Sequence, residues 1–308
     1  MLARAPLLAA LALIALPLEA ADRYVAVTID DLPYQRGRSL AEIQALTNRL
    51  VEQVRTQETP VAAFLNEKKL HDGGEHELRA RTALIEQWLD AGAELGNHTY
   101  SHADIDTTSF DEYKQEIVRG EEISKASLEK RGKTLKYFRH PYLRTGKDPE
   151  TRRALAAFLS ERGYIVAPVT IDNDEWIYGA AYDEAAAQND EATMRRIGAD
   201  YLTYMEQAFE FSEQIAQSLF GREIKHTLLI HANALNAEYY DELVAMMKRR
   251  GYAFISLSEA LEDDAYRAED TYIGPKGLSW LFRWSVGRTL ETPTEPQIPS
   301  YIRALSGT

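Results

Sequence analysis

His98 and His102 stand four residues apart in the run His98-Thr99-Tyr100-Ser101-His102, directly after the short apolar stretch Ala93–Gly96. Positions four apart are one helical turn apart, so the spacing predicts two imidazoles facing one way and able to share a divalent cation. Four further segments place reactive side chains at the ends of predicted strands: Thr28-Ile29-Asp30-Asp31, Arg139-His140-Pro141-Tyr142, Asp172-Asn173-Asp174-Glu175-Trp176 and Leu229-Ile230-His231.

Asp31, His98 and His102 form a mixed oxygen and nitrogen set of three ligands with a fourth position open to water, as catalytic zinc uses. Zn²⁺ suits that set, and Co²⁺, Ni²⁺ or Mn²⁺ can substitute. A cation held there lowers the pKa of a bound water from about 15.7 to about 7 and polarises a carbonyl oxygen. Asp30 cannot lie beside Asp31 on one face of a regular strand. A bend at the strand end lets the pair divide the work, Asp31 on the metal and Asp30 as general base. Arg139 is the counter-charge that keeps Asp30 ionised and oriented, and His231 can protonate a leaving amine. Plainer readings stand beside these: Asp30-Asp31 as a turn pair, Arg139 in a surface ion pair, His231 as a core histidine. Trp176 reads either as the wall of an acyl pocket or as core packing. His71, His76 and His226 sit in polar, loop-like settings and read as solvated, while His140 reads as structural.

The elements that must carry these groups alternate regularly. Strand-like runs at Tyr24–Thr28, Val61–Leu65, Ala93–Gly96, Leu135–Phe138, Tyr164–Ile171, Thr227–Ile230 and Tyr252–Ile255 are separated by amphipathic helical patterns. Ser39 with Glu42, and Ser109 with Glu112, predict capping boxes, the second for a helix ending near Gly132. Asp148-Pro149 predicts a further helix start, and Arg131-Gly132, Arg162-Gly163 and Arg250-Gly251 predict helix ends. About seven β-then-α units imply a parallel sheet. Because the polar residues fall at the C-terminal ends of different strands, an irregular (β/α) barrel is expected, with its site on that rim. A helical insertion at 178–225 leaves the barrel at the rim, as a roof over the site or a pair on its flank. Its tyrosines 178, 182, 201 and 204 are suited to sugar faces. Residues 263–308 form a C-terminal extension in which Trp280 and Trp284 either extend that surface or cap the barrel.

A net charge of −13 argues against nucleic acid and anionic lipid as partners. The absence of cysteine excludes disulfides, thiolate nucleophiles and thiolate-held metals. Arg4, the apolar stretch Leu7 to Leu16 and the small residues around Ala20 read as a signal peptide over residues 1–20, or as an uncleaved anchor. Cleavage removes Arg4 and Glu19 together, leaves the charge at −13 and implies a secreted, periplasmic protein without stable membrane insertion.

Taken together and in order, the five motifs resemble those of the polysaccharide deacetylase family, carbohydrate esterase family 4, over roughly residues 24–261. The resemblance implies Asp30 as base, Asp31, His98 and His102 as metal ligands, and Arg139 bracing the base. It further implies the Tyr142 backbone N–H at the oxyanion, His231 as acid, and Leu229 with Trp176 at an acetate pocket. Asp172, Asp174 and Glu175 compete to pair with His231. The sequence departs from the family pattern at Ile29 and Leu32, where Phe and Gly are usual. The implied activity is metal-dependent removal of N-acetyl groups from an amino-sugar glycan, chitin-like or peptidoglycan-like. Hydrolysis of small amides or ureides on the same barrel, and glycan binding by a decayed site, are the alternatives.

Overall fold

The computed structural model describes residues 23–36, 39–290 and 292–308, so the signal peptide expected at 1–20 lies outside the described residues. Strand β1 (Arg23–Leu32) is buried from Val25 onward with no alternation, as a strand covered on both faces must be. It pairs in parallel with β2 (Val61–Leu65) on one side, and β3 (Glu94–Asn97), β4 (Tyr137–Phe138) and β5 (Ile165–Val166) continue the sheet beyond β2. On its other side β1 pairs with β6 (Lys225–His231), and its first residues also pair with β7 (Tyr252–Phe254). All seven strands are parallel in the order β5-β4-β3-β2-β1-β6, with β7 beside β1.

The run 164–171 is broken rather than continuous. Only Ile165–Val166 pairs with β4, and Pro168 lacks the N–H a ladder needs. The chain then crosses to β6, where Ile171 bridges Leu228 and the Leu229 N–H donates to the Ile171 carbonyl at 3.2 Å. The two edges of the sheet thereby meet, and the expected irregular (β/α) barrel is the fold.

The helices α1 (Leu40–Thr56), α2 (Glu75–Asp90), α3 (Phe110–Arg119), α4 (Glu122–Glu129) and α5 (Pro149–Glu161) connect the first five strands. Both capping boxes form, Ser39 with Glu42 on α1 and Ser109 with Glu112 on α3. Asp148 accepts the N–H groups of Glu150 and Thr151 to start α5. The segment expected as one helix up to Gly132 is two, broken at Gly120-Glu121.

The helical insertion comprises α6 (Glu175–Ala187) and α7 (Glu191–Phe220). It therefore begins earlier than residue 178, and residues from Lys225 onward belong to β6. Tyr178, Tyr182, Tyr201 and Tyr204 are all buried in the main hydrophobic core, so they hold the helices to the barrel and are not an exposed sugar platform. The barrel then continues through α8 (Ala234–Arg249) and α9 (Leu257–Ala260). In the C-terminal extension, α10 (Trp280–Ser285) packs on α7 and α11 (Ser300–Ser306) on α6. Trp280 and Trp284 are buried in a second cluster with Val169, Ile215, Leu229 and Leu281, so they cap the barrel and do not extend an open surface. Among the described residues no helix is long and apolar enough to cross a membrane.

Candidate active site

The site begins with a break in β1. Its register against β2 shifts between Ile29 and Leu32, and Asp31 takes a left-handed backbone, φ 71°. That turn removes the strict alternation of a strand, so both carboxylates face one cavity. Asp30 lies opposite His231 in the β1–β6 register, which sets two titratable groups side by side on neighbouring strands.

His98 and His102 converge by a different route from the one their spacing suggests. They lie on an irregular loop after β3, with Thr99 at φ 62° and His102 at φ 60°. Buried side chains hold the loop: the Thr99 N–H donates to Asn97 Oδ1 at 2.7 Å, and Asn66 Nδ2 donates to the His98 carbonyl at 2.6 Å. The rings meet edge-on with centroids 4.8 Å apart. His98 Nδ1 lies 2.9 Å from the Arg139 carbonyl, so its N–H donates there and Nε2 is left as a bare ligand nitrogen. One donor atom from each of Asp31, His98 and His102 falls within 4.8 Å of the others, and this compact oxygen and nitrogen set fits a divalent cation.

Arg139 serves the site twice. Its carbonyl fixes the His98 ring, and its fully buried guanidinium donates to Thr28 Oγ1 at 2.8 Å with Nη1 3.6 Å from Asp30 Oδ2. Burial pushes the Asp30 carboxyl up to about 6 against the pull of Arg139. Asp30 Oδ1 is buried without a hydrogen-bond partner, so the oxygen that a base would use is free. For Asp31 burial acts in the same upward direction, but Lys69 and His102 outweigh it and hold the group well below the usual carboxylate range.

His231 is paired with Glu175, not with Asp172 or Asp174. Its Nδ1 lies 2.7 Å from Glu175 Oε2. The fully buried Glu175 also accepts from the side-chain amides of Asn233 and Asn236 through Oε1. Burial opposes a charged imidazole here, yet the Glu175 carboxylate pushes His231 up to about 9. Asp172 faces the same cavity, its carboxyl pushed up to about 7 by burial. Arg139 and Glu175 stand behind the cavity wall, while Asp30, Asp31, His98, His102, Tyr142, Asp172, Trp176, Leu229 and His231 all border it. Tyr142 is half exposed, in left-handed backbone at φ 56°, with its ring edge-on to His102.

His226 departs from its expected solvated setting. It is fully buried on β6, its Nδ1 3.1 Å from Thr170 Oγ1, and burial holds it down to about 3. His71 and His76 are exposed as expected, and His140 is buried at the cavity wall. Sequence reasoning passed over Lys69, whose Nζ lies 3.0 Å from Asp31 Oδ1; it sits in Glu67-Lys68-Lys69, which reads as a solvated charge run. The insertion, expected as a roof over the site or a pair on its flank, does reach the cavity: Ala208, Phe211 and Ile215 of α7 form its far wall together with Leu281 and Phe282 of the extension.

Comparison with known proteins bears on the fold and on the family resemblance. Residues 18–158 match the polysaccharide deacetylase family model. A peptidoglycan-N-acetylglucosamine deacetylase of Bacillus cereus is 28% identical over 93 residues, a match that takes in 30% of this chain and only 30% of that protein's length. Two solved structures share the fold. One is a mutant, with restored enzymatic activity, of a family 4 pseudoenzyme from Bacillus anthracis: TM-score 0.52, 17% identity, 79% of this chain and 69% of that one. The other is a peptidoglycan N-acetylglucosamine deacetylase bound to a naphthalenyl-benzamide ligand: TM-score 0.51, 16% identity, 78% of this chain and 89% of that one. The resemblance read from the motifs thus holds at the level of the polysaccharide deacetylase family.

Proposed function

We propose, for a chain that carries the polysaccharide deacetylase match, that it is a metal-dependent hydrolase removing N-acetyl groups from an amino-sugar glycan, working outside the cytoplasm. The observation that carries this reading is the pairing of Asp30 and His231 across adjacent strands beside the Asp31–His98–His102 set. A divalent cation held by those three residues, zinc by the character of the donors, would supply Lewis acidity toward the amide carbonyl and a more acidic water.

The chain's own groups do the rest. Asp30, through its unpartnered Oδ1, takes a proton from the water as the new C–O bond forms at the carbonyl carbon. Arg139 keeps Asp30 charged and aimed. The Tyr142 N–H is the donor assigned to the developing oxyanion, a contribution of about 3–4 kcal/mol for a well-placed group. His231 gives its Nε2 proton to the sugar nitrogen as the C–N bond breaks, releasing acetate and a free amine, and Glu175 keeps that ring protonated until then. Trp176 and Leu229 border the space for the acyl group. Every one of these positions holds a competent residue, which favours an active enzyme over a decayed glycan binder. Acetate release from N-acetylglucosamine oligomers or peptidoglycan fragments, with metal supplied, tests the proposal. No release from any amide or ester would overturn it, and release only from ring amides would move the substrate class to small amides or ureides.

A further inference from the structure

The cavity is about 500 Å³, a size that holds a drug-sized molecule and far exceeds what an acetyl group fills. On the side of α7 and the extension its wall is mainly apolar, made by Ala208, Phe211 and Ile215 of α7 with Leu281 and Phe282 of the extension, and Ser212, Ser279 and Glu295 are the polar residues there. Ala208, Ile215 and Leu281 each expose 3% or less of their surface where they border the cavity, while Phe211 and Phe282 are half-buried, so this end is an apolar recess in a partly open cavity. Two of the hydroxyls that reach it are already used. Ser212 Oγ donates to the Ala208 carbonyl at 2.9 Å, and Thr170 Oγ1 accepts from the Thr227 N–H at 2.8 Å.

The recess opens on the acyl side of the site. Leu229 stands two residues before His231 on β6, and so on the same face. It also packs in one hydrophobic cluster with Ile215, Leu281 and Leu143. The residue that borders the acyl group is therefore continuous with the recess wall, and most of that wall comes from residues beyond 158, outside the family match.

We propose that this recess binds a hydrocarbon acyl chain longer than acetyl, which makes the enzyme a deacylase of N-acyl amino sugars with α7 and the extension setting chain-length preference. The inference rests on the hydrolytic reading above. It is tested on the metal-loaded, full-length enzyme with glucosamine carrying N-acetyl, N-butyryl, N-hexanoyl and N-octanoyl groups, by following release of free amine. Each methylene buried is expected to raise kcat/KM about threefold to fourfold until the recess is full. Ala208→Phe, which fills the recess, is expected to lower the octanoyl-to-acetyl ratio at least tenfold.

Binding of N-octanoylglucosamine and N-acetylglucosamine, followed by calorimetry, gives a readout that does not depend on turnover, with the longer chain binding tighter. Release of acetyl with progressive loss for longer chains overturns the inference and leaves the hydrolytic reading intact. Failure to release any acyl group overturns the hydrolytic reading itself. Preference for the octyl glycoside of N-acetylglucosamine over N-octanoylglucosamine places the recess on the sugar side and also overturns the inference.

Discussion

Replacing Glu175 by Gln perturbs one proton and nearly nothing else. The Gln side chain keeps an oxygen for the Asn233 and Asn236 amides, but it turns an NH₂ toward His231 Nδ1 where a carboxylate stood 2.7 Å away. The imidazolium would then set two donors head to head, and burial, opposed only by the more weakly acting Asp31 and Asp30, favours the neutral ring. The rise of His231 from its ordinary 6.5 to about 9 is worth about 3 kcal/mol, and the substitution should remove most of it, since Glu175 is the largest group raising it. In the wild type the alkaline limb of kcat/KM for acetate release is expected near pH 9. In the variant that limb should fall toward about 6.5, and activity at pH 8 should drop on the order of tenfold or more. The same proton is read by stability. The folded state of the wild type binds it more tightly than the unfolded chain, so this stabilisation is complete below about pH 6.5 and is lost as pH rises through about 9. The variant should lack most of that slope in thermal unfolding. Since Glu175 touches no metal-ligand candidate, bound metal should stay at the wild-type level. An alkaline limb that remains near pH 9 in Glu175→Gln would refute the assignment of Glu175 as the group that charges His231.

Other outcomes follow from single contacts. His98→Ala removes the ligand nitrogen whose tautomer Arg139 fixes, so metal measured by elemental analysis after dialysis should be lost, whereas retention at one ion per chain would remove His98 from the ligand set. Lys69→Met removes an ammonium 3.0 Å from Asp31 Oδ1, and because a charge-assisted hydrogen bond is worth about 1.5–3 kcal/mol, metal affinity by chelator competition should tighten tenfold or more; weaker binding would show that Lys69 supports the ligand instead of competing with the cation. Gly277→Ala would put a Cβ 1.7 Å from the Tyr142 carbonyl oxygen, so the Tyr142 loop must move. A displacement of about 1 Å can cost about a hundredfold in kcat, with metal content unchanged; a wild-type kcat would show that the extension does not hold that loop.

The chemistry was legible where one short motif carries it. Asp30, Asp31, His98, Arg139 and His231 could each be read as strand-end residues, and parallel β/α topology brings strand ends to one rim. Their convergence did not depend on the local conformation expected for them: the His98–His102 pair reaches its geometry through left-handed residues on a loop and not through a helical turn. Contacts between distant segments left no local signal. Glu175 was one of three nearby carboxylates, and only Asn233 and Asn236, some sixty residues later, select it. The four tyrosines of α6 and α7 looked amphipathic because aromatic residues serve core and surface alike, and tertiary packing decided for the core. Gly277, Arg283 and Leu281 had no visible role until the extension was seen folded back, with the buried Arg283 bridging Asp270 and Thr145.

The central claim is that Asp30 works as the base beside a cation held by Asp31, His98 and His102. Its most direct test is amine and acetate release from N-acetylglucosamine oligomers by metal-stripped enzyme, titrated with Zn²⁺ or Co²⁺, alongside Asp30→Asn treated identically. The account predicts that wild-type activity returns as one ion binds per chain, while Asp30→Asn binds the same ion and releases nothing. Full turnover by the stripped enzyme, or by metal-loaded Asp30→Asn, would contradict it.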